Sequence, residues 1–382
     1  MCNTLNEPVR QIRHKLVFMQ TYRVIGLMSG TSLDGVDLAY CIFQRINGEW
    51  QYEITCADCL PYPDTWKNRL YNLIQTDIET YLKTDAEYGQ YIGQLINEFI
   101  HRNGLSGKVD VIASHGQTII HRPHLGFTAQ IGSGAAIAET THLPVVCNLR
   151  ANDVAAGGQG APVVPLTDKH LFAPYLFCLN LGGIANISCK LNNGGIVGYD
   201  ICPNNLLLNY LAGKLGLPYD AGGQIAASGT VYLPLLEQLN QLPFYNLPFP
   251  KSLDADFVPQ TVLPLLNRFT LPLPHLLCTC TEHIATQIAR QVEQLYQLPV
   301  NTGCGNTMLI TGGGAFNSFL IQRIAALSNA QTLIPDELTV NYKEALAMAF
   351  MSVLRLREEP NCLASVTGAR TNTVNGCIYF AR

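Results

Sequence analysis

The segment GLMSGTSLDGVD, Gly26 to Asp37, gathers glycines, hydroxyls and two carboxylates into one short stretch. Gly26, Gly30 and Gly35 permit close backbone approach. The hydroxyls of Ser29, Thr31 and Ser32, with the backbone N–H groups of Gly30 to Asp37 (Leu33 and Val36 included), can cradle anionic oxygens. Asp34 and Asp37 can orient a metal ion or a substrate hydroxyl. Taken alone, the same residues also make an ordinary hairpin with Ser-Gly and Asp-Gly turns. The segment is not a Walker A loop, because no Gly-Lys-Ser/Thr ends it. It is not a dinucleotide fingerprint, because no helix-opening GxGxxG is present.

Paired glycines recur in LNLGGIANIS, where Gly182 and Gly183 separate two apolar runs. Two such turns facing one cleft would grip a polyphosphate from both sides, whereas each alone reads as a hairpin. In GGGAFN, Gly312, Gly313 and Gly314 end a strand and Asn317 opens a helix, an arrangement that lets a nucleotide lie against the backbone. It reads equally as a structural strand–helix turn. Asp200 ends a strand ahead of Pro203 and Asn205, which suits a general base or, more simply, a helix N-cap. His115 and Gln117 in SHGQT, and Arg150 and Asp153 three residues apart, are candidates for sugar contact. The last two read as well as an ion pair, and His115 as a satisfied structural histidine.

These residues need a scaffold of strands and helices. The apolar patterning predicts strands at Tyr22–Met28, Leu38–Phe43, Trp50–Thr55 and Lys108–Ala113, with one helical stretch over Thr65–Asn103. A second set follows the Gly/Ala/Pro-rich stretch at 153–162. It has strands at Leu176–Leu181, Ala185–Leu191, Gly195–Tyr199 and Thr307–Thr311, and helices at Asn205–Leu215, Thr279–Leu295, from near Asn317, and at Lys343–Arg357. A strand, a glycine turn and a strand thus open two series of alternating elements. The expected fold class is α/β, with two domains and a cleft. Residues 233–274 are Pro- and Leu-rich and are expected to form a partly helical insertion.

Size and composition agree. The chain has 382 residues, 48% apolar and 14% charged, with a net charge of −4. That length suits two cores rather than one. Without a basic patch, nucleic acid and anionic membrane are not expected partners, and no apolar run is long enough to span a bilayer. The opening residues lack the apolar core of a signal peptide, and 1–18 are expected to be a ragged extension before Met19. Thirteen cysteines without a paired framework point to reduced thiols and a cytoplasmic location. Cys56 and Cys59 form a single CxxC, too little for a zinc site.

The ordered strings GLMSGTSLDGVD, SHGQT, FTAQIG, DVAAGGQGAPVVP, LNLGGIANIS, YDAGG with AASG, TGGGAFN and VTGAR resemble the 1,6-anhydro-N-acetylmuramic acid kinases of bacteria, from about Tyr22 onward. The resemblance implies the two-domain actin/hexokinase/Hsp70 ATPase fold. The expected boundaries are 19–147 plus 370–382 for one domain and 148–369 for the other. It also implies a homodimer and Mg²⁺-ATP-dependent opening of an anhydro ring with phosphorylation of O6, in peptidoglycan recycling. Asp200 takes the position of the family base and Glu344 that of a second carboxylate. Gly30 to Asp37, Gly182, Gly183, Gly312–Gly314 and Asn317 take those of the ATP contacts, with Asp34 and Asp37 nearest the metal. Ser32, Asp34, His115, Gln117, Arg150 and Asp153 become the substrate contacts. The sequence departs from the family pattern at Cys202 and Asn204, where glycines are common, and at Asn148–Leu149–Arg150, where Asp-Phe-Arg is commoner. Two alternatives remain open: a kinase of another 1,6-anhydrosugar, or a weakly catalytic sensor of wall sugars.

Overall fold

The computed structural model describes residues 19–30, 33–249, 251–254 and 256–380. The expected extension at 1–18, and Thr31 and Ser32 of the glycine-rich turn, lie outside the described residues. The chain divides into two compact units, one formed by residues up to Leu171 and from Tyr342 onward, the other by Phe172–Asn341.

In the first unit, β1 (Thr21–Ser29), β2 (Gly35–Ile46) and β3 (Glu49–Pro61) form an antiparallel meander. β4 (Val111–Ser114) and β7 (Val145–Cys147) extend it in parallel, and β13 (Cys377–Tyr379) closes the edge, giving the order β13-β7-β4-β1-β2-β3. β5 (Gln117–Arg122) and β6 (Phe127–Ile131) form a separate two-stranded sheet. In the second unit, β8 (Phe177–Leu181), β9 (Ile184–Lys190) and β10 (Ile196–Pro203) repeat the meander. β11 (Thr307–Thr311) and β12 (Gln331–Leu333) repeat the parallel extension, giving β10-β9-β8-β11-β12. Apart from β13, the two sheets share one strand order and one pattern of directions. This is the doubled α/β topology expected of an actin-like ATPase.

The core of the first unit forms where Ile25, Leu27, Val36 and Leu38 meet Tyr88, Ile92, Ile96 and Phe99. Those last four lie on α2 (Ile78–Arg102), spaced for one helical face. The single helical stretch expected over 65–103 is instead broken into α1 (Asp64–Asn72), a tight turn at Leu73–Gln75, and α2. The cause is local: Asp77 accepts from the Thr80 N–H at 2.8 Å and starts a new helix. In the second unit, α10 (Leu273–Leu295) buries Leu277, Ile284, Ile288 and Val292 against the sheet and begins earlier than the apolar spacing predicts. The 233–274 region is partly helical, with α8 (Leu233–Asn240) and α9 (Leu263–Leu266) joined by irregular turns.

The domain boundaries differ from those expected at 147/148 and 369/370. Arg150 bonds His115 within the first unit, and the chain re-enters that unit at Tyr342. There α12 (Glu337–Leu356) loses helical geometry, with φ −117° and ψ 19°. Beyond Tyr342, α12 packs on β1 where Gly26 stands. A Cβ at Gly26 would lie 2.0 Å from the Ala345 carbonyl oxygen and 2.9 Å from the Ala349 Cβ. Only glycine lets helix and strand approach so closely. Gly26→Ala is therefore expected to destabilise the first unit by about 1–3 kcal/mol or more, as overpacking does, seen as a lower urea midpoint.

Candidate active site

Pleating places the acidic residues of the first unit. Val36 and Leu38 are fully buried in the core shared with α2, so Asp37 projects from the opposite sheet face. Gly26 pairs with Ala39 on that same face, and there α12 brings Glu344, the residue before Ala345. The turn ahead of β2 closes with the Leu33 N–H donating to the Gly30 carbonyl at 3.3 Å, and Leu33 adopts φ 56°. Asp34, exposed, follows it.

The electrostatics are those of crowded carboxylates. Burial pushes Asp37 above the ordinary carboxylate value. A bond from the Cys59 thiol opposes this, and the charge of Asp34 adds to it. Burial also raises Glu344, with repulsion from Asp37 next; the cations Arg150 and Lys343 offset part of it. Lys343 is itself committed, 2.7 Å from Asp168 with both side chains buried. Among the described residues, no three His, Cys, Asp or Glu side chains form a metal-ligating group.

Several expected substrate contacts are hydrogen-bonded within the first unit. His115 is 3% exposed: its Nδ1–H donates to the Gly116 carbonyl at 2.7 Å, and its Nε2 accepts from Arg150 Nε at 2.8 Å. Both ring nitrogens are taken, leaving none for a sugar hydroxyl. Burial, and then the Arg150 charge, pull its pKa down to about 3, so the ring stays neutral. Asp153 is fully buried. Its Oδ2 accepts from the Gly160 N–H and its Oδ1 from Thr367 Oγ1, each at 2.8 Å, so it pins the loop after α4 (Ala151–Ala155) rather than pairing with Arg150. Gln117, 2% exposed, accepts from Ser29 Oγ. Ser29 also bonds Tyr62, which bonds Tyr88. This buried hydroxyl network ties the end of β1 to α2, and neither tyrosine stood out in the sequence. Arg150 keeps the fuller functional standing: Nε and Nη1 are anchored on His115 and the Gly160 carbonyl, and its charge acts on Glu344.

In the second unit the two glycine turns meet. A Cβ on Gly314 would lie 2.7 Å from both Leu181 Cβ and Asn204 Nδ2. Asn204 is fully buried and donates from its backbone N–H to Gly183 and from its Nδ2 to Gly182, at 2.8 and 3.0 Å. Its φ of −123° needs no glycine, and its side chain staples the Gly182–Gly183 turn to α6 (Asn205–Gly213). Asn317 caps α11 (Ser318–Leu327) by accepting from the Leu320 N–H at 3.0 Å, and Asp220 caps a short turn through Ile225 and Ala226. Together they line a cavity of about 370 Å³ floored by Gly313 and Gly314 and edged by Tyr219, Phe316 and Asn341. A groove of about 430 Å³ beside Arg290 and Glu293 on α10 contains none of the predicted residues.

Asp200 sits at a bulge in β10, between pairings with Asn186 and, through Cys202, with Ala185. Its Oδ2 accepts from the Leu253 N–H at 2.9 Å and from Ser252 Oγ at 3.2 Å. Burial raises its pKa and these two bonds oppose the rise. It does not act as the N-cap of α6, a position held by Asn204.

Two α/β units of matching strand order, each carrying glycine turns and acidic residues, share the doubled topology of actin-like ATPases. A family model described as anhydro-N-acetylmuramic acid kinase matches residues 22–381. The anhydro-N-acetylmuramic acid kinase of Pasteurella multocida is 36% identical, over 94% of this chain and 97% of that protein. That of Saccharophagus degradans is 34% identical, over 93% and 98%. The chain belongs to the anhydro-N-acetylmuramic acid kinase family, and it is a kinase.

The buried neutral His115 has a consequence for stability. Its folded pKa lies below the unfolded value, so the unfolded chain binds the extra proton and stability is lost as pH falls from about 6.5 toward 3. The slope from this residue approaches about 1.4 kcal/mol per pH unit. Urea titrations at pH 7.5 and 5.5 should show it, and His115→Gln should flatten the difference by that amount.

Proposed function

We propose that this kinase opens the 1,6-anhydro ring of 1,6-anhydro-N-acetylmuramic acid with water and phosphorylates the freed O6, giving N-acetylmuramic acid 6-phosphate and ADP. The observation that carries this reading is Asp200: a carboxylate at the bulge of β10, held through one oxygen and with raised pKa. Phosphoryl transfer alone needs positioned charge more than a strong base, whereas attack of water on an anomeric carbon needs a proton acceptor.

Asp200 takes a proton from water, and the water oxygen bonds to C1. The C1–O6 bond breaks and its electron pair stays on O6. O6 then attacks the γ-phosphorus, and the bond to the bridging oxygen breaks to release ADP. The cavity beside Gly313 and Gly314 suits a nucleoside, with Tyr219 and Phe316 to flank a base and asparagines to hydrogen-bond. Main-chain N–H groups of the Gly182–Gly183 turn, in the same unit as that cavity, are assigned to the phosphates.

Asp34 and Asp37 are the residues that would hold Mg²⁺. The donor set fits: Mg²⁺ commonly takes one or two carboxylates plus phosphate oxygens and water, and mutual repulsion among Asp34, Asp37 and Glu344 is what a cation relieves. The ion would supply neutralisation of phosphate charge. Glu344 and Arg150 are assigned to orienting the sugar. Among the described residues twelve cysteines are free thiols, which supports a reducing, cytoplasmic setting, and a homodimer is proposed on the family resemblance alone.

Incubation with ATP, Mg²⁺ and the anhydro sugar should give a product heavier by one water and one phosphate; a gain of phosphate alone would refute the ring-opening step. Asp200→Asn should lower kcat by roughly 10²–10⁴-fold, the usual worth of a general base. Because burial raises Asp200, kcat/KM should fall as pH drops through a value above the ordinary carboxylate range, and this acidic limb should vanish in Asp200→Asn.

A further inference from the structure

The irregular 233–274 region contains the only described side chain that hydrogen-bonds the Asp200 carboxylate. Residues Lys251–Leu253 lie along β10, the edge strand: the Asp200 N–H donates to the Lys251 carbonyl at 3.1 Å, and the Leu253 N–H returns to Asp200 Oδ2. The segment is anchored on both sides of this contact. Lys251 Nζ reaches the carbonyls of Phe244 and Tyr245 at 3.5 and 3.4 Å and sits 4.9 Å over the Phe244 ring. Phe249 stacks on Tyr199, the residue before Asp200, at 5.2 Å and 7°. Leu253 is 8% exposed and belongs to the core. Tyr245 is fixed in turn through His283 Nε2 at 2.9 Å.

Both bonds to Asp200 fall on Oδ2; among the described residues, none reaches Oδ1. A carboxylate held by one oxygen cannot rotate freely, so the other is presented in a fixed direction. Two donors on the charged form also favour ionisation and offset the cost of burial. Beside Asp200, the titratable groups of this contact are Cys202 on its own strand and Lys251 on the facing segment. Only Ser252 supplies a side-chain hydroxyl.

We propose that Ser252 is a positioning residue for the reaction: with the Leu253 N–H it locks Oδ2 of Asp200, so that Oδ1 takes the proton from the attacking water. The inference rests on Asp200 being the base. Ser252 is exposed, so its replacement by alanine removes a hydroxyl without opening the core.

The test is the pH profile of kcat/KM for purified full-length Ser252→Ala, Ser252→Thr and Asp200→Asn, with urea midpoints measured alongside. Ser252→Ala should lower kcat roughly tenfold, as loss of a bond to a charged group does, and move the acidic limb upward by up to about one pH unit. The KM for ATP should not change, and Ser252→Thr should restore both rate and limb. An unmoved limb in Ser252→Ala, with or without a lower urea midpoint, overturns the proposal, as does failure of Ser252→Thr to restore it. If Asp200→Asn keeps its activity and its limb, the assignment of the base fails instead.

Discussion

Backbone approaches that no Cβ could tolerate place the candidate residues within each unit. In the first unit α12 lies on β1 because Gly26 has no side chain, and that contact brings Glu344 to the sheet face from which Asp37 projects. In the second, Gly314 lets the turn after β11 reach Leu181 and Asn204, so two glycine turns distant in sequence share one wall. Interiors pack to near-crystalline density, so such contacts do not stretch to admit even a methyl group. The positions of the acidic residues and of the nucleotide-sized cavity both follow from them.

The second shared constraint is the cost of keeping carboxylates out of water. Asp37 and Asp200, both half-buried, are raised chiefly by desolvation; Glu344 is raised too, although its residue surface remains exposed. The means of bearing that cost differ. Asp37 repels Glu344, which Arg150 and Lys343 partly compensate, while Asp37 is offset only by the Cys59 thiol, which leaves a region suited to a cation. Asp200 has no charged partner of that kind and is held by neutral donors, which leaves it suited to exchange a proton. The same residue type is thereby divided into two chemistries by its neighbours. His115 shows the converse: a group that titrates near neutrality in water is kept neutral and used to aim Arg150.

Much of the architecture was legible along the chain. Alternating apolar runs marked most of the core strands, and glycines after strands marked the turns. The repeat of a strand, a glycine turn and a strand announced two related units. What was misread depended on partners far away in sequence. A run of apolar residues at helical spacing does not reveal that Asp77 will cap a new helix inside it. Composition does not show that the chain rejoins the first unit at Tyr342, just ahead of the Ala345 and Ala349 contacts with Gly26. Ser252 lay in a stretch without periodicity, and Tyr62 and Tyr88 looked like ordinary core aromatics.

Residue chemistry and order were therefore determined by the sequence alone: which glycines could turn, which carboxylates could act, and which family the ordered strings belong to. Only the tertiary structure decided which polar groups remain available. His115, Asp153 and Gln117 carry the right functional groups for a sugar, yet both ring nitrogens of His115, both oxygens of Asp153 and the amide oxygen of Gln117 are bonded inside the first unit. Asp200 could be read as a general base or as a helix cap; it does not cap and is held at a bulge, where one oxygen is bound and burial raises its pKa. The reason is physical: a side chain's chemistry is intrinsic to its type, but its charge state and free valences are set by neighbours that only folding brings near.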